Sequence, residues 1–330
     1  MNAIEVNSLT KYYGDHLAVD HISFSVKKGE IFGFLVPNGA GKTTTQRMLT
    51  TLLKPTSGQI LINGQDIARD AYPAKRVMGL VPEESCVYTE LSAWDNLMFT
   101  SRLYLVPRSE RADRAHYLLK TFGLLEKKDV KVEKFSKGMR RRLSIGMAII
   151  HKPTLLFLDE PTPGLDAQSA RDILGLIRNL NAEGTTVFLT THLIEEANQL
   201  CDRVAIINNG MIARIDTPEN LKLTFQRVQS VEVSLKPNGH NYGEELGKLS
   251  GVISILKMGD KWRLFSEDPS LLLPAIIKFA EKNTLSIVSL NTLAPSLEDV
   301  FLEITGSPVG AVQQVTNNND AQKHGMGEQK

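Results

Sequence analysis

Residues 31–45 read IFGFLVPNGAGKTTT. The apolar run Ile31 to Val36 suits a short strand, Pro37 to Gly41 a tight turn, and Lys42 the first residue of a helix. Few local patterns restrict a fold as much. Glycines let backbone N–H groups turn inward around an anion, and the helix N-terminus adds its unpaired donors and the positive end of its dipole. The ligand such a place takes is a phosphate. Lys42 can reach the outer phosphates, Thr43 can ligate Mg²⁺ and Thr44 can contact the inner phosphate. The pattern G-x-x-x-x-G-K-[ST] is met at Gly41, Lys42 and Thr43, whereas Val36 stands at its first position. If that position needs a positive φ, Val costs about 1–2 kcal/mol through its Cβ. If it is the end of the strand, Val fits well.

A chain of 330 residues exceeds one ordinary domain, and 42% hydrophobic residues support sizeable cores. The 38 basic and 37 acidic residues balance, so nothing global points to nucleic acid or an acidic ligand. Cys86 and Cys201 lie far apart without metal spacing and suit a reducing compartment. The start MNAIEVNSL lacks the basic-then-apolar pattern of a signal peptide, and no apolar run approaches a membrane span. A membrane role is therefore expected only through another chain.

Residues 3–8 and 18–26 alternate and read as strands, with Tyr12 and Tyr13 just before a turn at Gly14. An aromatic there can stack on a nucleobase or pack on the sheet. A helix is expected over 42–53, a strand over 58–67 with an Asn63-Gly64 turn, and a buried strand over 77–81 ending at Pro82-Glu83-Glu84. Residues 92–150 read as a helical insertion, with Ser92 and Ser109 as helix N-caps and Pro107 between the helices. It ends in FSKGMRRRLSIGMAII, where Ser136 and Gly138 open a helix with a broad apolar face. Arg140, Arg141 and Arg142 are expected on a solvated face.

TLLFLDEPTPGLD (154–166) reads as a central parallel strand whose carboxylates emerge at its C-terminal end, where ligands of open α/β sheets bind. Asp159 can hold Mg²⁺, and Glu160 can orient or deprotonate an attacking water. A helix follows over 167–182, then a buried strand, 185–192. A lone histidine at its end, His192, is by default structural. After a hairpin at Asn209-Gly210 and a boundary at Pro218, the order from about 228 is βαββαβ, the ferredoxin-like arrangement, followed by a helix over 295–305. Residues 306–330 read as a disordered tail.

Taken in order, these motifs resemble the ATP-binding subunit of an ABC transporter over roughly residues 3–217. They are the phosphate loop PNGAGKTTT (Walker A), the signature FSKGM, the Walker B strand LLFLDEP, the D-loop Pro163-Gly164-Leu165-Asp166 and the switch histidine His192. The end SLEDVFLEITG resembles the daunorubicin-resistance and sodium-extrusion type of exporter ATPase. The resemblance implies an α/β fold: a P-loop NTPase ABC ATPase domain (1–220) with its helical insertion (about 90–150), and a small α+β, ferredoxin-like C-terminal domain (221–305). It implies that Val36, Pro37, Asn38, Gly39, Ala40, Gly41, Lys42, Thr43 and Thr44 hold ATP, and that Tyr13 stacks on adenine. Mg²⁺ would be served by Thr43, Asp159 and Glu83. Glu160 would be the general base and His192 the γ-phosphate sensor. Ser136 and Gly138 would contact the nucleotide of the opposite subunit, and Asp166 would communicate across the dimer. The implied partners are a second ATPase subunit, identical or not, and integral membrane permease subunits that dock near the insertion. The implied location is peripheral, at the cytoplasmic face of the cell membrane. Four residues depart from the family pattern: Val36, Glu83 in place of the usual glutamine, Lys137 in place of glycine, and Met139 in place of glutamine.

Overall fold

The computed structural model describes residues 1–35, 41–224, 229–236, 241–266, 268–293 and 296–305. Val36, Pro37, Asn38, Gly39 and Ala40 lie outside the described residues, as does the expected tail 306–330. The first third of the chain forms β1 (Asn2–Tyr13), β2 (His16–Lys27), β3 (Ile31–Leu35), α1 (Lys42–Leu49), β4 (Ser57–Ile62), β5 (Gln65–Asp66), α2 (Tyr72–Val77) and β6 (Met78–Val81). The expected helix over 42–53 is thus shorter, because Thr51 takes a positive φ of 62° and breaks it. Val77 closes a short helix rather than opening the strand.

Next come α3 (Ala93–Leu103), α4 (Arg108–Thr121), α5 (Lys137–Ile149), β7 (Leu155–Asp159), α6 (Ala167–Ala182), β8 (Thr186–Thr191), α7 (Ile194–Leu200), β9 (Arg203–Asn208), β10 (Met211–Asp216) and α8 (Pro218–Thr224). Ser92 caps α3 by accepting from the Asp95 N–H at 3.0 Å, and its hydroxyl donates back to Asp95 at 2.6 Å. Ser109 is not a cap. Pro107, whose φ is fixed, holds the extended N-cap position, so α4 starts two residues earlier than a Ser109 cap would place it.

Two sheets build this part. One is antiparallel in the order β2-β1-β4-β5, and the other runs β10-β9-β3-β8-β7-β6, parallel except for β10. Both faces of the larger sheet are covered, which explains its unbroken apolar strands. Phe32 and Phe34 of β3, Phe157 of β7 and Phe188 of β8 share the core under the antiparallel sheet; Phe32, Phe34 and Phe188 meet Phe24 there and Phe157 meets Phe188, with ring centroids 5.5–6.1 Å apart. Ile31, Leu35, Leu156, Leu158, Val187 and Leu189 point the other way, into a second core shared with α3, α4, α5 and α6.

The remaining elements are β11 (Gln229–Leu235), α9 (Gly243–Gly247), β12 (Ser254–Met258), β13 (Lys261–Ser266), α10 (Pro269–Lys282), β14 (Ile287–Leu293) and α11 (Leu297–Thr305). The strands form one antiparallel sheet, β12-β13-β11-β14, with α9 and α10 over the Val231, Val233 and Leu264 face. This order of elements and strands is the ferredoxin-like one. The last helix turns back: Leu297, Val300 and Phe301 enter the core of the larger sheet beside Ile194, Ala197, Leu200 and Leu221. A buried ion pair, Arg263 to Asp299 at 3.0 Å, holds the same helix to β13.

Candidate functional site

Three strands end side by side. β3 runs toward the phosphate-loop residues, β7 ends at Asp159, and β8 ends one residue before His192. The described part of the loop begins at Gly41, whose φ is +95°; a Cβ there would lie 2.6 Å from the Ala18 carbonyl oxygen. Left-handed backbone and lack of room together make this a glycine position. Lys42 follows at the start of α1, Thr43 is exposed on its first turn, and Thr44 is half-buried.

Glu160 is the point of convergence. Only 3% of it is exposed, and one carboxylate oxygen pairs with Lys42 Nζ and lies 2.8 Å from His192 Nδ1. The His192 N–H donates to its other oxygen at 3.4 Å. Glu160 itself has φ +46°, a conformation that costs a residue with a Cβ about 1–2 kcal/mol. Its N–H donates to the Thr190 carbonyl at 3.0 Å, which fixes the turn against β8.

The neighbouring Asp159 is buried and points to the other side. The Thr190 hydroxyl donates to it, and Gln46, with its amide nitrogen turned toward Asp159, lies 3.1 and 3.2 Å from its two carboxylate oxygens. Burial raises the Asp159 carboxyl above the usual range, while the Thr190 hydroxyl and the Lys42 charge pull it down. Among the described residues, no group of three or more His, Cys, Asp and Glu could hold a metal by itself. The Asp159 carboxylate and the exposed Thr43 hydroxyl are the kind of sparse donors that would suit a Mg²⁺ bound mainly by phosphate oxygens and water.

Other expected site residues stand apart from this cluster. Tyr13 is 47% exposed at the end of β1, with Lys11 Nζ 5.4 Å from its ring centroid. Glu83 is exposed, and its carbonyl rather than its carboxylate is engaged. Ser136 caps α5 through the Met139 N–H at 3.2 Å. Gly138 faces the start of α6: a Cβ would lie 2.6 Å from Ser169 Oγ and 2.9 Å from Ser169 Cβ. Asp166 caps α6, accepting from the Ser169 and Gln168 N–H groups at 2.9 and 3.1 Å. Those bonds, together with one from the Ser169 hydroxyl, hold its carboxyl below the usual range. Lys137 reaches across the same contact to the Pro163 carbonyl at 3.0 Å.

The arginine run does not form a solvated face. Arg140 bonds the Val132 and Glu133 carbonyls, Arg142 is partly buried, and Arg141 is 96% buried. Its guanidinium carries five hydrogen bonds, all to main-chain carbonyls: Pro82, Glu83, Asp159, Glu160 and Pro161. Burial lowers its pKa, opposed by the nearby Asp159, Glu83 and Glu160 charges. A charge run in sequence cannot reveal this, because the acceptors come from two distant segments. Gln46, Thr190 and Glu196, a carboxyl on α7 that burial raises to about 7, also lacked any local signal.

A parallel sheet that ends in a glycine-bearing loop, a lysine, adjoining carboxylates and a histidine defines a P-loop nucleotide-binding cassette. A family profile described as "ABC transporter" matches residues 19–163. The chain is 36% identical over 305 residues to the linearmycin resistance ATP-binding protein LnrL of Bacillus subtilis (strain 168), covering 92% of this chain and 98% of that one. It is 34% identical over 312 residues to the daunorubicin resistance ATP-binding protein DrrA3 of Streptomyces coeruleorubidus, covering 92% and 96%. A solved structure titled as the ATP-binding subunit of an ABC transporter superposes with a TM-score of 0.62 at 30% identity, over 68% of this chain and 93% of that one. The chain belongs to the ABC transporter family, as an ATP-binding subunit.

Proposed function

We propose that the chain hydrolyses ATP to drive an exporter whose membrane-spanning part is a separate permease subunit. No helix among the described residues is long and apolar enough to cross a membrane, and the two relatives compared above are named for drug resistance. The observation that carries the reading is the buried Glu160 carboxylate held between Lys42 and His192.

In this reading Gly41, Lys42, Thr43 and Thr44, with Val36 to Ala40, cradle the phosphates, and Tyr13 stacks on the adenine. Thr43, Asp159 and Glu83 would hold Mg²⁺, which would neutralise charge on the phosphates. Lys42 must leave Glu160 when phosphate arrives, which frees the carboxylate to accept a proton from the attacking water. His192 then retains one nitrogen for Glu160 and turns the other toward the γ-phosphate. Ser136 and Gly138 of a second subunit close the site, and Asp166 lies at that seam. Catalysis is mostly positioning and charge stabilisation. The chain divides near residue 220 into a cassette and an accessory domain, and it works peripherally at the cytoplasmic face of the membrane.

Val36 supports a second reading, an attenuated subunit that binds ATP and turns it over poorly beside an active partner. Steady-state Mg-ATP hydrolysis of the purified chain, its Val36→Gly variant and a Glu160→Gln blank separates the two. Turnover above the blank and comparable to Val36→Gly supports the motor. Activity in the variant alone supports the attenuated subunit.

A further inference from the structure

Arg141 occupies an unusual position for a cation. It is buried, yet none of its five hydrogen bonds goes to a carboxylate. A buried guanidinium with only carbonyl partners is held by dipoles, and it binds together whatever backbone supplies them. Here three pieces of the site meet. Arg141 belongs to α5, whose first turn carries Ser136 and Gly138. Nε donates to Pro161 at 2.9 Å, and a terminal nitrogen donates to the Asp159 and Glu160 carbonyls, where β7 ends. The remaining terminal nitrogen donates to the Pro82 and Glu83 carbonyls, where β6 ends.

The Glu160 bond matters most. The left-handed φ of this residue is what turns its side chain toward Lys42 and His192. Its peptide is fixed at both ends, by the N–H to Thr190 and by the carbonyl to Arg141. We propose that Arg141 is a positioning residue that holds the Glu160 and Glu83 backbones and the signature helix as one body, so that nucleotide engaged at Ser136 is felt at the catalytic carboxylate. The proposal rests on the hydrolytic role given to Glu160 above. Lysine cannot replace arginine here, since one ammonium cannot reach both carbonyl groups that the planar fork spans.

The test compares the parent chain with Arg141→Lys, Arg141→Met and, as a control, Arg140→Lys. Mg-ATP turnover is measured together with amide hydrogen exchange. In both Arg141 variants kcat falls at least about tenfold with KM changed less than about threefold, the split expected when positioning rather than binding is lost. Exchange rises together in residues 83–86 and 162–165, while β3, β7 and β8 stay protected. Arg140→Lys stays within about twofold of the parent. Turnover of Arg141→Lys within twofold of an active parent overturns the proposal. So does faster exchange throughout the chain, which marks a merely structural role. If the parent itself does not hydrolyse ATP, the hydrolytic reading fails, and the exchange comparison still decides whether Arg141 joins the two segments.

Discussion

Glu196→Gln turns a buried acid into its neutral isostere. Glu196 is 8% exposed on α7, and the Thr191 hydroxyl donates to it at 3.3 Å. The charges that reach it are Glu160, which disfavours its ionisation, and His192 and Arg141, which favour it; burial outweighs them all and lifts the carboxyl from 4.5 to about 7. In the folded chain the proton stays on up to about pH 7, whereas the unfolded chain releases it above 4.5. Folding takes up a proton in that window, so this group's contribution to stability is fullest below pH 4.5 and is lost as pH rises through about 7. At about 1.4 kcal/mol per pH unit, the full window amounts to about 3 kcal/mol. Partial solvent access trims this to about 2 kcal/mol. Gln keeps an acceptor for Thr191 and carries no such penalty. In urea unfolding, Glu196→Gln and the parent should differ by less than about 1 kcal/mol at pH 5, and the variant should be more stable by about 2 kcal/mol at pH 8. An equal difference at both pH values, or a variant weaker at pH 8, would falsify the assignment of a buried, protonated carboxyl.

Phe188→Ala empties the centre of the five-ring cluster and should cost about 3–5 kcal/mol in urea unfolding, since Phe188 is fully buried and meets four other rings. Asp299→Ala leaves Arg263 buried without its carboxylate. It should destabilise the C-terminal sheet by about 3 kcal/mol and expose α11 to limited proteolysis; unchanged cleavage would show that α11 is held by its apolar face alone. Glu160→Gln should abolish Mg-ATP turnover while keeping nucleotide binding, read by equilibrium titration with a fluorescent ATP analogue.

The strand–loop–helix order, the Walker B carboxylates and the βαββαβ ending were legible because each is written in contiguous residues. Along β3 the apolar run marks a buried strand, but which core Phe32 and Phe34 or Ile31 and Leu35 enter is seen only once the sheet is covered on both faces. Helix starts were legible where a side chain makes the cap, as at Ser92 and Ser136. The start of α4 was not, because there the backbone of Pro107 decides.

The sequence by itself pointed to the cassette: Gly41, Lys42, Thr43, Asp159 and Glu160 read as candidate phosphate, metal and water ligands from residue type and order, whereas the expectation for His192 came from the family resemblance. Only the tertiary structure decided how they are held. Nothing in RRR distinguishes Arg141 from its neighbours, yet helix rotation sends Arg140 to the Val132 turn and buries Arg141 under two strand ends. The pairing of Glu160 with Lys42, the donors around Asp159 and the proton on Glu196 likewise arise from segments far apart in the chain. Hydrogen bonds and desolvation depend on distances in space, and a linear pattern does not encode those until the sheet has formed.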